Sequence, residues 1–447
     1  MTAKYTRRAS YGPASQAVGE RGARTRTQVV AAALTCFTEK GFHDTAVEDI
    51  ASVAKVSRAT LYQYFASKEA VFIELMSEAG ASLMSSTRKL GPLGATADGF
   101  DNLYLWLADF GASFDLYSAM FIEWANVNSP KAPLRPRLVS LIEAHTDRFA
   151  PALVKAGFQG CCPETMSILL LSVTNRFNYI RHVYRPGLTD AQLLISIAVA
   201  AQLTLFPDTP RAVLDAGPPS AERPEGNGVS APPVPTMGPL ASLPPRSEIP
   251  VIAPFEGLSD QAARTVRQLL DAASRVFADT GYDAVNIDHI VTSAGLARGT
   301  FYRYFDEKLE LMAALANECA ADMRRPFREL ARFSDRPDPE GLKRWLHDFL
   351  LLQQRYSGVM RAWTEGFPVD PTVLGPCRDT IIDIGAAVRE TFGPRRSYPM
   401  QRRAVGMMFA GLLEQFPNEG RDTKYEWAAD EIVRAQALFV QRVLLAR

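Results

Sequence analysis

Val56-Ser57-Arg58-Ala59-Thr60-Leu61-Tyr62-Gln63-Tyr64-Phe65-Ala66-Ser67-Lys68-Glu69 returns 240 residues later as Leu296-Ala297-Arg298-Gly299-Thr300-Phe301-Tyr302-Arg303-Tyr304-Phe305-Asp306-Glu307-Lys308-Leu309. At helical spacing Leu61 and Phe65 share one face, so Arg58, Thr60, Tyr62, Gln63 and Tyr64 point elsewhere. An exposed short helix with an arginine, a hydroxyl and two tyrosines carries groups that donate to phosphate oxygens. Arg58 and Gln63 have the chemistry to read base edges in a major groove. Lys68, opening the next helix, brings its charge and a helix N-terminus to a neighbouring phosphate.

Working outward, Arg24 to Glu69 matches its second copy at 15 of 46 positions, among them Phe37/Phe277, Gly41/Gly281 and Ile50/Ile290. At an offset of 239, Trp106-Leu107-Ala108-Asp109-Phe110 meets Trp345-Leu346-His347-Asp348-Phe349, then Tyr117-Ser118 and Trp124 meet Tyr356-Ser357 and Trp363. The duplication therefore takes in a whole unit. Apolar residues recur at helical spacing (Val29, Ala33, Phe37; Leu269, Ala273, Phe277) with hardly any alternation, which predicts an all-α protein.

Local signals divide the head. A helix from about Arg26 to Lys40 stops at Gly41. Thr45, with Glu48 three residues on, makes a capping box for a helix to about Ala54. After the turn at Lys55-Val56, Ser57 caps a third helix, Arg58 to Phe65. In copy two Asn286 is the cap and Gly295 supplies the turn glycine that Lys55 replaces.

Gly41-Phe42, Ile50-Ala51 and the run from Val56 to Glu69 resemble the TetR family of bacterial regulators, and Ala294 to Phe305 resembles it equally. The resemblance implies a three-helix DNA-binding head on a mostly six-helix body that binds a small molecule and dimerises through its last two helices. It makes Thr60, Tyr62, Tyr64 and Lys68, with Thr300, Tyr302, Tyr304 and Lys308, phosphate contacts. Arg58, Ala59 and Gln63, with Arg298, Gly299 and Arg303, become the groove-facing set; Thr45, Ser57 and Asn286 are the capping residues beside them. The plainer alternative for Tyr62 or Tyr64 is packing against the first helix. Two departures stand out: Ala46 where the family often has a hydroxyl, and, in copy two, Ala297 for Ser57 with Asp306-Glu307 beside the DNA backbone.

The expected division is a basic arm (1–22), head one (23–83), body one (84–206), a flexible linker (207–256) with thirteen prolines, head two (263–323) and body two (324–447). Lys+Arg and Asp+Glu each number 49, so any nucleic-acid surface is local; Lys4, Arg7, Arg8, Arg21, Arg24 and Arg26 supply one, or else merely solvate a tail. Five cysteines without metal spacing imply no disulfide framework, no metal and a reducing cytoplasm. No segment reads as membrane-spanning. Scattered histidines without HExxH, a phosphate loop or a nucleophile elbow leave an enzyme without support and no cofactor expected. The competing non-enzymatic class is an interaction scaffold whose heads no longer bind DNA.

In the bodies, Trp106, Phe110, Phe121 and Trp124, with Trp345, Phe349 and Trp363, are either core or the walls of an effector pocket suited to an apolar molecule. Asn175, Arg176, Asn178 and His182 are either pocket handles or an interface network. Leu188 to Phe206 and Tyr425 to Leu445 are the expected dimer helices, pairing within one chain as a pseudo-dimer or, alternatively, between chains as a homodimer of four heads. The function expected is a regulator, a repressor released by a small effector, bound to an imperfect or asymmetric operator in the nucleoid.

Overall fold

All described secondary structure in the computed structural model is helical, with no strand among the described residues. Those residues are 16–42, 44–122, 135–184, 186–221, 240, 243–252, 256–335, 338–365, 368, 370–392, 400–425 and 427–445. The chain divides into two compact units, Met1–Ala81 with Tyr117–Glu123, and Ser82–Leu116 with Trp124–Arg447.

In the first unit α1 (Gln16–Lys40) buries Val29, Ala33 and Phe37. It ends where expected: Gly41 takes φ +83° and its N–H donates to the Phe37 carbonyl at 3.0 Å. It starts well before Arg26, so residues 16–22, assigned to a basic arm, are helical. No proline interrupts that stretch, and Gln16, Glu20, Arg21 and Arg24 are good helix formers. Lys4, Arg7 and Arg8 lie outside the described residues. α2 (Val47–Val53), packed on α1, and α3 (Arg58–Tyr64), packed on α2, follow with Ile50, Ala51, Leu61 and Phe65 buried, and then α4 (Lys68–Arg88). α4 spans the division between units. α5 (Ala97–Leu116) belongs to the second unit and α6 (Ser118–Ile122) to the first, where it packs on α1 with Met120 and Phe121 buried. That helix was expected in the body.

In the second unit body one comprises α5, α7 (Arg135–Lys155), α8 (Pro163–Tyr184) and α9 (Asp190–Leu205), followed by the short α10 (Arg211–Ala216). Head two comprises α11 (Asp260–Thr280), α12 (Ile287–Ala294), α13 (Arg298–Phe301) and the start of α14 (Lys308–Phe327). Body two continues with α15 (Ala331–Asp335), α16 (Pro339–Arg355), α17 (Ser357–Glu365) and α18 (Pro371–Phe392). α19 (Arg402–Ala410) runs through a π-helical stretch into α20 (Phe416–Glu419), and α21 (Ala429–Phe439) ends in another. α17 packs on α11 as α6 does on α1, so the duplicated Tyr-Ser begins the same helix twice. The approach is close at Gly358: a Cβ there would lie 2.4 Å from the Ser274 carbonyl oxygen.

The proline-rich linker departs from expectation at both ends. Leu214 of α10 is buried, and the Ser220 amide and hydroxyl each donate to the Asp101 carboxylate at 2.7 Å. At the other end Arg378 Nη1 donates to the Leu243 and Pro244 carbonyls at 3.1 and 2.8 Å. Proline carbonyls keep full acceptor capacity, and a low apolar content does not stop them docking through bonds supplied by a body.

α8 and α9 lie against α19 and α21. Arg176 Nη2 donates to both Glu414 carboxylate oxygens at 2.6 and 2.7 Å, Arg442 Nη1 donates to the Thr204 carbonyl at 2.6 Å, the Cys162 amide donates to Glu431 at 2.5 Å, and the Gln401 amide donates to Ser196 Oγ at 3.0 Å. Among the described residues, no helix is long and apolar enough to cross a membrane.

Candidate nucleic-acid interface

Each head mounts its third helix on two buried side chains, Leu61 and Phe65 in head one and Phe301 and Phe305 in head two. Around these anchors the exposure pattern from residue 51 to 66 recurs over 291–306, position by position. Arg58, Ala59, Tyr62 and Gln63 are exposed, as are Arg298, Gly299, Tyr302 and Arg303, whereas Thr60, Tyr64, Thr300 and Tyr304 are half-exposed. The turn before the helix is also the same twice. The Val56 amide reaches the Ala51 carbonyl at 3.0 Å and the Leu296 amide reaches Val291 at 2.9 Å. Lys55 adopts φ +51° to make it where Gly295 has φ +66°, a left-handed conformation costing a residue with a Cβ about 1 kcal/mol.

Caps set the two third helices apart. Ser57 Oγ accepts from the Thr60 amide at 3.0 Å and lies 2.8 Å from the Thr60 hydroxyl, supporting a helix of seven residues. Ala297 offers no such oxygen, and α13 is only four residues long before the chain tightens into turns at Tyr302–Tyr304. The lack of a side-chain cap and a glycine in the first turn both disfavour the longer helix. The second helices behave differently again. Asn286 caps α12 as expected, accepting from the His289 amide at 3.0 Å while His289 Nδ1 accepts from the Asn286 amide at 3.3 Å.

Thr45 and Lys68 turn toward the loop of head one, and Lys308 does the same in head two. Thr45 is no cap: Ala46 is, its amide donating to Asp49 at 2.9 Å. Thr45 is buried and its hydroxyl turns inward to the Gly41 carbonyl at 2.7 Å, with that of Cys36 at 3.3 Å, so it is not presented to a phosphate. Lys68 is a clamp. Its Nζ donates to the Phe42 and Thr45 carbonyls at 2.8 and 2.9 Å and lies 4.7 Å from the Phe42 ring centroid. Lys308 repeats this on the Tyr282 and Val285 carbonyls at 2.8 and 2.7 Å, over the Tyr282 ring at 4.1 Å, and burial lowers its pKa from the ordinary lysine value. Both lysines close the loop between the first two helices of their head.

Among the remaining residues, Tyr64 faces α1 closely enough that a Cβ on Gly22 would lie 3.5 Å from its hydroxyl. Tyr62 and Tyr302 stay largely open, at 42% and 48% exposure, each under an arginine: the Arg58 guanidinium is 5.5 Å from the Tyr62 ring centroid, and that of Arg298 is 5.7 Å from Tyr302. Arg58 also pairs with Glu48 at 2.5 Å and Arg298 with Asp288 at 2.7 Å. Glu48 was expected as the capping-box partner of Thr45 and instead meets Arg58, and Asp288, ten residues before Arg298 as Glu48 is before Arg58, is a partner the sequence reading missed.

The body aromatics are packed rings. Trp106 stands edge-on to Phe110 and 5.0 Å from Phe149, with its indole N–H toward Thr87 Oγ1 at 3.4 Å. Trp345 stacks on Phe349 at 5.5 Å and donates to the Pro326 carbonyl at 3.0 Å; Trp363 donates to Val373 at 2.9 Å. Phe121 is buried in the first unit, and Trp124 lies outside the described residues. Of the polar set on α8, Arg176 serves the contact with body two, Asn178 donates to the Thr174 carbonyl at 2.9 Å, and His182 Nε2 sits 2.7 Å from Asp115 beside the Phe114 ring. Asn175 is buried.

Residues 29–75 and 269–315 each match the family described as bacterial regulatory proteins, tetR family. An uncharacterized HTH-type transcriptional regulator of Mycobacterium tuberculosis, Rv1255c, is 30% identical over 166 residues, covering 36% of this chain and 79% of that protein. The transcriptional activator FasR of Mycolicibacterium smegmatis is 48% identical over 48 residues, or 11% of this chain and 22% of its own, and the M. tuberculosis transcriptional repressor Rv1474c is 39% identical over 59 residues, or 13% and 32%. The crystal structure of a TetR family transcriptional regulator, PfmR from Thermus thermophilus, aligns over 34% of this chain and 84% of that one at 25% identity with a TM-score of 0.28. With the head matched at two places and a relative covered over most of its length, this chain belongs to the TetR family of transcriptional regulators and carries the family's DNA-binding module twice.

Proposed function

We propose that the two heads read the two halves of one imperfect or asymmetric operator, and that the bodies pair within the chain as a pseudo-dimer. Contacts between the bodies carry this reading. Arg176 meets Glu414 and Arg442 meets Thr204 across 238 residues, one short of the 239-residue repeat of the bodies, so each lies beside its own counterpart. Contacts of that kind are what an isologous interface has at its axis. Off the axis, the amide opening α8 (Cys162) bonds a side chain of α21, and the amide opening α19 (Gln401) bonds one of α9. Cys162 and Gln401 are equivalent positions 239 residues apart, and their partners lie on equivalent helices, one turn out of register.

In this reading Arg58, Ala59 and Gln63 face one half-site and Arg298, Gly299 and Arg303 the other, with Thr60, Tyr62, Tyr64, Thr300, Tyr302 and Tyr304 toward the backbone. Gln63 and Arg303 suit different base edges, adenine's acceptor and donor for glutamine and guanine's two acceptors for arginine, which makes the half-sites unequal. Occupancy represses from the cytoplasmic nucleoid, and a small apolar effector, suited to ring-rich bodies, releases it by favouring a head arrangement that misfits the operator. Selection of bound fragments from the source genome, followed by footprinting, tests the reading. Unequal half-sites protected by one chain are expected; a perfect palindrome, or protection needing two chains, would overturn it.

A further inference from the structure

Each head holds its helix-opening arginine between an acid and a tyrosine. Arg58 Nη1 is 2.5 Å from Glu48 and Nη2 is 3.4 Å from the Tyr62 hydroxyl; Arg298 Nη1 is 2.7 Å from Asp288 and Nη2 is 3.2 Å from the Tyr302 hydroxyl. The arrangement persists although the acid differs by a methylene and α13 is shorter than α3. Stability does not explain it. The side chains are 61% and 57% exposed in head one and 56% each in head two, and pairs so open to water contribute little to folding. Capping does not explain it either, because Asp49 serves the cap in head one and Asn286 with His289 in head two. A carboxylate beside DNA also repels phosphate.

Building on the DNA-binding reading of the heads, we propose that Glu48 and Asp288 are positioning residues for sequence discrimination. Each fixes its guanidinium fork over the tyrosine in one orientation, ready for a base edge. Each also opposes the same arginine's swinging onto a backbone phosphate, a contact available on any sequence. The acid weakens general affinity and sharpens choice.

The test compares the full chain with the double variant Glu48→Gln, Asp288→Asn, which keeps shape and removes charge. Binding is titrated over a salt series on a genomic fragment selected by the wild-type chain and on a random-sequence duplex of equal length. Affinity for the random duplex should rise, the ratio of selected to random affinity should fall about tenfold or more, since a bidentate arginine contact is worth that much discrimination, and the random-duplex salt slope should steepen by about one per freed arginine. Glu48→Asp should keep the wild-type ratio. An unchanged ratio and slope in the double variant, with helicity retained, overturns the proposal and leaves the DNA-binding reading standing. A wild-type chain that binds both duplexes equally, or neither, removes both.

Discussion

His145 sits on α7 inside body one, 2% exposed, 3.0 Å from the Thr87 hydroxyl through Nδ1 and against the rings of Phe149 at 5.2 Å and Trp106 at 5.8 Å. Burial disfavours its imidazolium and pulls its pKa from 6.5 down to about 3. In the unfolded chain the ring takes up a proton near pH 6.5, and in the folded chain it does not until about pH 3. The folded state is therefore fully favoured above pH 6.5 and loses ground at about 1.4 kcal/mol per pH unit below it, about 5 kcal/mol by pH 3. That is comparable with the lower end of a domain's whole stability. The assay is urea unfolding followed by tryptophan fluorescence at half-unit steps from pH 7.5 to 4, on wild type and His145→Gln. Every other titrating group is common to both chains and drops out of the difference. The variant should be the less stable at pH 7.5, where it lacks the ring packing, and the gap should close, then reverse, as pH falls. Parallel curves from pH 7 to 4 would mean that the imidazole is solvated, refuting the link between its burial and its protonation.

Three further outcomes follow from the geometry. Lys68→Met removes two charge-assisted bonds to loop carbonyls and should cost head one about 2 kcal/mol with little change in the salt slope of DNA binding; a slope shallower by about one, without loss of stability, would return Lys68 to the phosphate role. Lys55→Gly should stabilise head one by about 1 kcal/mol by relieving its φ of +51°, and Gly295→Ala should cost head two about as much, both read by thermal melting. For Arg176 and Glu414, joined at 2.6 Å with side chains 14% and 31% exposed, a double-mutant cycle with Arg176→Met and Glu414→Gln should give a coupling of about 1–3 kcal/mol; a coupling near zero would remove this pair from the forces joining the bodies.

What the sequence made legible was set by neighbours along the chain. Gly41 stopped α1, Ser57 capped α3, Asn286 capped α12, and the Lys55/Gly295 pair marked the turn, because each acts within four or five residues of itself. What it hid depends on partners far away in sequence. Thr45 has a capping hydroxyl by type, but the carbonyls of Cys36 and Gly41 claim it in the fold. Lys68 looks like a free cation until the loop 26 residues earlier folds beneath it. Trp106, Phe110, Trp345 and Phe349 are buried against neighbouring rings, and periodicity alone does not tell a pocket wall from a core. The linker's composition gave no sign that its described ends are held by Asp101 and Arg378 from the bodies.

Fusion of the two copies bears directly on how their heads came to differ. In a homodimer every change in the head appears in both half-site readers, so an altered reading helix must suit both halves of the operator at once. In one chain the two heads can differ, and they do. Head one keeps the Ser57 cap and a seven-residue reading helix but tolerates a strained Lys55, whereas head two has a relaxed turn at Gly295 but an uncapped, four-residue helix with Asp306 and Glu307 exposed just beyond it. The differences fall at different places in the two copies, the cap in one and the turn in the other. Head two nevertheless has the shorter helix and two carboxylates where a phosphate would approach, so on the proposed reading its half-site is the weaker one. It depends more on tethering to head one, whose binding raises the local concentration of the second half-site.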